Sequence, residues 1–515
     1  MRSARLTPGP RATAAPEHHA PGAKPLPWLA GLAAVHTLAQ LVLVIPGLGL
    51  GWDETVYLSQ VSPQAPAAFF SAPRARGITF LVAPVAALTT STALLRVHLA
   101  LASGGGLLLS LWVWRRLLPL PVLVSAGVVF SGLWITLLYG PQVMPNLWVA
   151  YGALLATGCF LRAVRASDGR ADRRALFGLA AGVAFTALMR PGDAMALMVT
   201  LAAAALCVRS WRRPAVLLAL VAGAALGSAE WIVEAYLRYG GLVARVHRAG
   251  EIQGGITAHL AVGDQLRALE GRTLCRPCDV PWRHPVTGFW WLAALPLTAG
   301  GLLVAARTRR LAVFLLPALV GLAIAVPYQF IDYAAPRFLL PTYALLSLPV
   351  ALCLLGVATA ARPRALAAAA LALALSAHFA VQYVVLHGAV SRGHAIREGV
   401  DGVAAQLRRQ GVRAPCLVTG AEAVRVAFRM GCASRQIGGH DGSITLPELL
   451  AAAERRPVVL LVGGGRAVPA YARDWRVQPL PRLPGLAGYR AYLSPPPVGP
   501  GAGRDDAAEG RRDRP

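Results

Sequence analysis

Apolar stretches of about 20 residues recur along this 515-residue chain. Each is long enough to cross the ~30 Å hydrocarbon core of a bilayer as an α-helix. Hydrophobic residues make up 56% of the sequence and charged residues only 14%, whereas soluble proteins carry roughly 25% charged residues. The alternating strands of about 10 residues that build transmembrane barrels do not occur in the pattern. The sequence therefore predicts an α-helical polytopic membrane protein, and excludes a soluble enzyme, a secreted disulfide-rich module and a disordered chain.

The net charge of +26 comes almost entirely from arginine, because the chain has a single lysine, Lys24. This composition is typical of a GC-rich coding sequence and indicates a bacterial source. The arginines form short clusters between apolar stretches instead of covering one soluble face, so we expect no nucleic-acid partner.

Eleven membrane spans are predicted, at 27–49, 93–114, 117–138, 146–162, 175–190, 193–208, 213–232, 287–306, 311–328, 338–358 and 364–386. Arginines concentrate in every second connection, and the positive-inside rule places these connections and the N-terminus in the cytoplasm. The clusters lie at 115–116, 162–174, 209–213, 307–310 and 362–364. The apolar segment 78–91 would reverse this order if it crossed the bilayer, so we expect it to lie on the outer surface.

Composition divides the chain into four parts. Residues 1–26 are predicted to be a disordered cytoplasmic tail, residues 27–386 a transmembrane domain, and residues 496–515 a second disordered tail. Between the transmembrane domain and the second tail, helical and strand patterns alternate. They predict a small extracytoplasmic α/β domain over 387–495. Its expected elements are helices at 393–410, 421–430 and 446–455 and strands at 415–419, near 435 and at 457–463.

Four of the seven cysteines lie outside the apolar spans, in two close pairs. Cys275 and Cys278 form a CxxC motif, and Cys416 precedes Cys432 by 16 residues. Both spacings allow a disulfide in an oxidising compartment without requiring one, and a lone CxxC is weak support for zinc.

Two adjacent carboxylates, Asp53 and Glu54, begin the first outer loop, just after the first span. One interpretation is that they mark the membrane boundary, with Asp53 as a helix N-cap. The other is chemical, since Arg74 and Arg76 and a membrane-surface helix follow in the same loop. Acids beside arginines at a bilayer surface suit a reaction on a lipid phosphate.

This loop resembles the first outer loop of the GT-C glycosyltransferases, through the sequence Asp53-Glu54-Thr-Val-Tyr57. Three further stretches resemble the same family: Met-Arg190-Pro, Trp-Arg283-His284-Pro with a Phe-Trp-Trp after it, and Pro-Arg337-Phe-Leu-Leu-Pro. The resemblance implies a GT-C-like membrane fold and a polyprenyl-phosphate sugar donor. It implies that Asp53 is the catalytic carboxylate, with Glu54 beside it as a second catalytic candidate and Tyr57 as a candidate substrate-binding residue.

The chemistry can be argued separately. A sugar phosphodiester already has a good leaving group, so the enzyme needs a base for the acceptor, and a carboxylate with a pKa raised by partial burial suits that role. Arginines would stabilise the departing phosphate. The candidate substrate-binding residues are Arg74, Arg76, Arg190, Arg283, His284 and Arg337. Membrane-edge anchoring is the alternative for Arg190 and Arg337, and a structural hydrogen bond for His284. Glu230, near the end of a span, is a further candidate outside this set.

The second outer loop, 139–146, has no acid, although the family often has one there. We therefore expect no cofactor, and the missing acid argues against a divalent metal held between two separated carboxylates. The expected partners are a polyprenyl-phosphate sugar donor, a glycan, lipid or protein acceptor, and membrane lipid. Two other functions fit the sequence less well: a lipid-linked glycan transporter or flippase, and an inactive scaffold with an outer binding domain.

Overall fold

The computed structural model describes residues 24–165, 172–360 and 362–496. The tails predicted to be disordered lie almost wholly outside these residues. The α-helices of the described residues are α1 Pro25–Leu43, α2 Trp52–Ser59, α3 Gly77–Leu88, α4 Thr92–Trp112, α5 Leu120–Ser131, α6 Trp134–Tyr139, α7 Asn146–Val164, α8 Arg173–Met189, α9 Pro191–Cys207, α10 Pro214–Arg238, α11 Leu242–Ile252, α12 Val262–Ala268, α13 Phe289–Arg307, α14 Leu311–Ala325, α15 Leu340–Ala360, α16 Arg364–Arg409, α17 Ala423–Met430 and α18 Leu446–Ala453.

Eight of these helices are long and apolar enough to cross a membrane, counting the 3₁₀ turns that extend four of them. They are α1, α4, α7, α10, α13, α14, α15 and α16. The three other predicted spans correspond to shorter helices, α5 with α6, α8, and α9. The predicted polytopic helical architecture is confirmed.

The predicted span 117–138 is not one helix. It breaks between α5 and α6 at Gly132 and Leu133. The free N–H of Trp134 at this break donates to the side-chain carbonyl of Gln382 on α16, at 3.0 Å. A break inside an apolar environment needs such a partner, because an unpaired backbone group there is costly.

Small residues allow close helix packing in the bundle. A Cβ atom on Gly227 of α10 would lie 2.1 Å from the carbonyl oxygen of Ala184 on α8, and one on Gly223 would lie 2.5 Å from that of Ala180. Glycines four residues apart are a common means of bringing two membrane helices into backbone contact.

The last span continues into the polar region without a break. Helix α16 has 46 residues and is therefore about 69 Å long, more than twice the ~30 Å that a bilayer core requires. The predicted span 364–386 and the helix expected at 393–410 are therefore two parts of one continuous helix, α16.

A five-stranded sheet forms the C-terminal α/β domain, with the order β2-β1-β3-β5-β4. Strands β1 and β2 and strands β1 and β3 are parallel, and β5 is antiparallel to both β3 and β4. The first three strands match the sequence pattern. Strands β4 and β5 lie outside the predicted strands, because neither is a continuous apolar run. The strands are β1 Leu417–Gly420, β2 Ala433–Ser434, β3 Val458–Val462, β4 Arg476–Pro479 and β5 Arg490–Leu493.

Both cysteine pairs that the sequence left open are disulfide-bonded, each with a Cα–Cα distance of 4.8 Å. The Cys416–Cys432 bond joins the segment before β1 to the segment before β2, across 16 residues.

The Cys416→Ala/Cys432→Ala variant lacks this bond, and its α/β domain should be less stable by about 3 kcal/mol. The bond restricts the unfolded chain, so the unfolded state gains conformational entropy when the bond is absent. Denaturant melts of the full chain measure the change. The Cys275→Ala/Cys278→Ala variant is the matched control and should lose less, since its loop spans only 3 residues. An equal loss in both variants would contradict the loop-entropy argument.

Candidate functional site

Helix α2 positions the two acids at the start of the first outer loop. Gly51 precedes the helix in an extended conformation, and its N–H donates to the Glu54 carboxylate at 2.8 Å. Glu54 therefore makes the capping contact in place of Asp53. The Asp53 carboxylate is left to interact with groups from other parts of the chain.

Two arginines bind Asp53, one at each carboxylate oxygen. Arg74 Nη2 lies 2.7 Å from Asp53 Oδ1, and Arg337 Nη2 lies 3.2 Å from Asp53 Oδ2. The Asp53 side chain keeps 35% of its surface exposed, against 12% for Arg74 and 9% for Arg337. These arginines come from the first outer loop and from the turn before α15, so residues distant in sequence converge on one carboxylate.

The pKa of Asp53 is lowered from its usual value. Burial raises the pKa of this carboxyl, but the charges of Arg74 and Arg337 and the hydrogen bond from Arg74 outweigh burial. We expected burial to dominate and to raise the pKa, and that expectation is wrong. Asp53 is consequently an ionised carboxylate at neutral pH.

Asp53 lies between two cavities, which we name cavity A and cavity B. Cavity A has a volume of about 410 Å³, and cavity B about 270 Å³. Both are lined by Asp53 and Arg337, so these two side chains form part of the boundary between them. Cavity A is bordered by α6, α16 and the segment 271–274, and cavity B by the start of α7 and residues 440–441 of the α/β domain.

Both cavities are rich in arginine. Cavity A is lined by Arg272, Arg337, Arg392 and Arg425, and cavity B by Arg74, Arg190, Arg276 and Arg337. The acids that line them are Asp53, Glu54 and Asp441. Such an excess of guanidinium groups suits an anionic ligand, since arginine binds phosphate oxygens through several N–H donors.

Glu54 is held in a buried ion pair. Arg96, from within α4, contacts both Glu54 carboxylate oxygens, one of them at 2.9 Å. Glu54 also accepts from the N–H of Val143 at 2.7 Å, and Arg96 donates to the carbonyls of Gly49 and Pro141. These contacts tie the first outer loop to the second and fix the start of α2, so the geometry favours a structural role over the predicted catalytic one.

Arg76, which was predicted to bind substrate, lies away from both cavities. Its guanidinium pairs with Glu230 at 3.2 Å and with Glu234 at 2.6 Å, both on α10. Glu234 also binds the buried Arg245 of α11 at 2.8 Å. Arg245 in turn donates to the backbone carbonyls of Ala72 and Arg74. This network anchors the backbone of the loop that presents Arg74 to Asp53.

The remaining candidates divide into two groups. Tyr57 and Arg190 line cavity B, where Arg190 pairs with Asp193 at 3.1 Å and donates to the Tyr328 hydroxyl at 2.8 Å. Arg283 and His284 are exposed and line neither cavity. The structure therefore brings Asp53, Tyr57, Arg74, Arg190 and Arg337 together, but not Arg76, Arg283 or His284.

Sequence reasoning missed several residues at the site. Arg96 could have been found, since an arginine inside an apolar span marks a functional or paired position. Asn146, His440 and Asp441 carry no comparable pattern. In the described part of the chain, no group of three or more His, Cys, Asp or Glu side chains is placed to hold a metal ion.

No family model matches the sequence, and no curated protein matches it significantly. Solved structures do match the fold. ArnT from Cupriavidus metallidurans bound to undecaprenyl phosphate superposes with a TM-score of 0.65 at 13% identity, covering 91% of this chain and 98% of that one. ArnT from the same organism in the apo state gives a TM-score of 0.62 at 12% identity, covering 90% and 97%. The GT-C-like membrane fold expected from the first outer loop is confirmed, because the chain shares the fold of these two ArnT structures.

Proposed function

We propose that this protein is a membrane glycosyltransferase that moves a sugar from a polyprenyl-phosphate donor to an extracytoplasmic acceptor, with Asp53 as general base. The observation that carries the proposal is the convergence of Arg74 and Arg337 on Asp53 between two arginine-rich cavities. Membrane-edge anchors should be spread around the rim of a bundle, whereas these arginines face one carboxylate. The fold shared with ArnT bound to undecaprenyl phosphate is consistent with a lipid-phosphate donor.

The reaction is a direct displacement. The acceptor hydroxyl oxygen attacks the anomeric carbon of the donor sugar, and the bond from that carbon to the phosphate oxygen breaks. The phosphate leaves with the bonding electron pair as polyprenyl phosphate, and the hydroxyl proton passes to the Asp53 carboxylate. The configuration at the anomeric carbon inverts. Arg337 and the other arginines that line cavity A stabilise the charge that develops on the leaving phosphate.

The donor fits cavity A best. An apolar groove of about 450 Å³ lies between α5, α13, α15 and α16 and includes Val381. Ala389, eight residues further along α16, lines cavity A. Eight residues of helix span about 12 Å, so the groove approaches the cavity along one helix. An isoprenoid tail in the groove would leave its phosphate beside Arg337.

Donor binding also changes the basicity of Asp53. The charges of Arg74 and Arg337 hold its pKa low. When a lipid phosphate in cavity A binds the Arg337 guanidinium, its negative charge offsets that of Arg337, and the pKa of Asp53 rises. The base therefore strengthens when the substrate is in place, which is the state in which a proton must be accepted.

The transfer reaction provides the test. The purified full chain in lipid nanodiscs is mixed with a bacterial lipid extract that contains radiolabelled polyprenyl-phosphate sugars, and with octyl glycosides and a serine/threonine-rich peptide as acceptors. We expect the label to leave the lipid and polyprenyl phosphate to accumulate. In sealed vesicles, movement of the intact lipid-linked sugar across the bilayer without cleavage would instead support a flippase and overturn the proposal.

We further propose that Asp53 and the α/β domain lie outside the cell and the arginine clusters inside. The topology predicts that a cysteine at Gly438, which is exposed and has open space around its Cα, is labelled by an impermeant thiol reagent in intact cells. A cysteine at Arg310, at the start of α14, is the matched control and should react only after lysis. Both variants carry Cys207→Ser, because Cys207 is an exposed thiol. The reverse pattern would refute the orientation.

A further inference from the structure

We propose that cavity B binds the hydroxyl groups of a sugar residue of the acceptor, and that Asn146, His440 and Asp441 determine which acceptor is accepted. The inference rests on the proposed function and deepens it, because it selects a glycan from the possible acceptor classes.

Asn146 provides the first observation. It begins α7, is 1% exposed and lines cavity B. Neither its amide nitrogen nor its amide oxygen has a hydrogen-bond partner among the described residues. A buried amide without partners costs about 1–3 kcal/mol, so such a group beside a cavity needs an explanation. A ligand that both donates and accepts hydrogen bonds supplies one.

The α/β domain provides the second observation. Asp441 Oδ1 lies 3.4 Å from Arg74 Nη1, and His440 and Asp441 both line cavity B. The base of their loop is fixed, since the Ser443 N–H donates to the Gln436 carbonyl at 2.8 Å and the Gln436 side chain binds the backbone of Gly420. A separate domain thus contributes two polar side chains to the cavity beside Asp53.

Contacts between the α/β domain and the first outer loop hold this arrangement. Arg435 donates to the Ala67 carbonyl at 3.2 Å, and Gln64 donates to the Phe428 carbonyl at 3.2 Å. The loop with His440 is therefore docked on the same segment of chain that carries Asp53 and Arg74.

The chemistry of the lining selects the ligand class. The Asn146 amide both donates and accepts, Asp441 accepts, and Arg190 donates. Sugar hydroxyls do both, so a ring with several hydroxyls can satisfy all of these groups together. A ligand with a single hydroxyl on an apolar chain would leave the donor or the acceptor atom of the Asn146 amide unpaired. Cavity B also borders Asp53, which the transfer reaction requires of the acceptor site.

The test compares Asn146→Ala and His440→Ala with the unchanged full chain in nanodiscs. The donor is the radiolabelled lipid extract, and the acceptor probes are octyl glycosides of glucose, mannose and arabinofuranose and a serine/threonine-rich peptide. Gln410→Ala, a half-buried amide that lines neither cavity, is the control. Thermal melts establish that each variant is folded.

We expect transfer to at least one octyl glycoside. Asn146→Ala should raise the KM for that glycoside about 10-fold, the equivalent of one hydrogen bond, and should leave the binding of undecaprenyl phosphate unchanged. Transfer to the peptide alone, or an unchanged glycoside KM in both variants, would overturn the inference and leave the proposed function intact. Absence of any donor cleavage by the unchanged chain would reject the proposed function, and the inference with it.

Discussion

Replacing Asp53 by asparagine should lower the rate of sugar transfer by about 10²-fold or more, which is the usual contribution of a positioned general base. The substitution keeps the size and shape of the side chain and removes its basicity. The introduced amide can still accept a hydrogen bond from Arg74 or Arg337, so the first outer loop should remain in place. Initial rates with saturating donor and acceptor measure the effect on kcat.

The matched control is Asp279→Asn, which changes an exposed carboxylate between α12 and α13 that lines neither cavity. It should leave kcat unchanged. If the Asp53→Asn variant turns over at a near-normal rate while folded, Asp53 is not the base and its pairing with Arg74 and Arg337 is structural.

Replacing Glu54 by glutamine should lower stability strongly. The Glu54 and Arg96 side chains are only 3% and 1% exposed, so the change leaves a buried guanidinium without its counter-charge. Breaking one side of such a buried pair costs about 3–5 kcal/mol. We expect a marked fall in the melting temperature and in the yield of folded protein, and a loss of activity no larger than the loss of folded protein.

The double variant Glu54→Gln/Arg96→Met is the control, because removing both charges removes the unpaired ion and should restore much of the stability. Glu251→Gln, in the exposed pair with Arg248, should have no measurable effect. A Glu54→Gln protein that folds normally but is inactive would contradict the structural role and support the catalytic role suggested by the sequence.

The fold was largely predictable because its determinants are local. Apolar length identifies the membrane helices, and helix–strand alternation identifies the α/β domain. The break between α5 and α6 was not predictable, since the N–H of Trp134 is satisfied by Gln382, 248 residues away.

The site was predictable only in part. Asp53 and Arg337 could be found because each stands in a stretch that resembles the GT-C glycosyltransferases, whereas position alone left a helix cap and a membrane anchor open as alternatives. His440 and Asp441 could not be found, since Asp441 reaches Arg74 across 367 residues. The prediction that the pKa of Asp53 is raised was wrong for a related reason. Partial burial can be read from the sequence, but the positions of the two guanidiniums cannot.

Equilibrium binding of undecaprenyl phosphate to the full chain tests the central claim most directly. Arg337→Ala should weaken binding about 10-fold or more, the scale of a lost charge-assisted hydrogen bond. Arg466→Ala, on the exposed surface of the α/β domain, should bind as the unchanged protein does. Asp53→Asn should bind at least as tightly as the unchanged protein while it loses turnover, because it removes the carboxylate that competes for the arginines. Normal binding by Arg337→Ala, or binding by Asp53→Asn as weak as that expected for Arg337→Ala, would contradict the account.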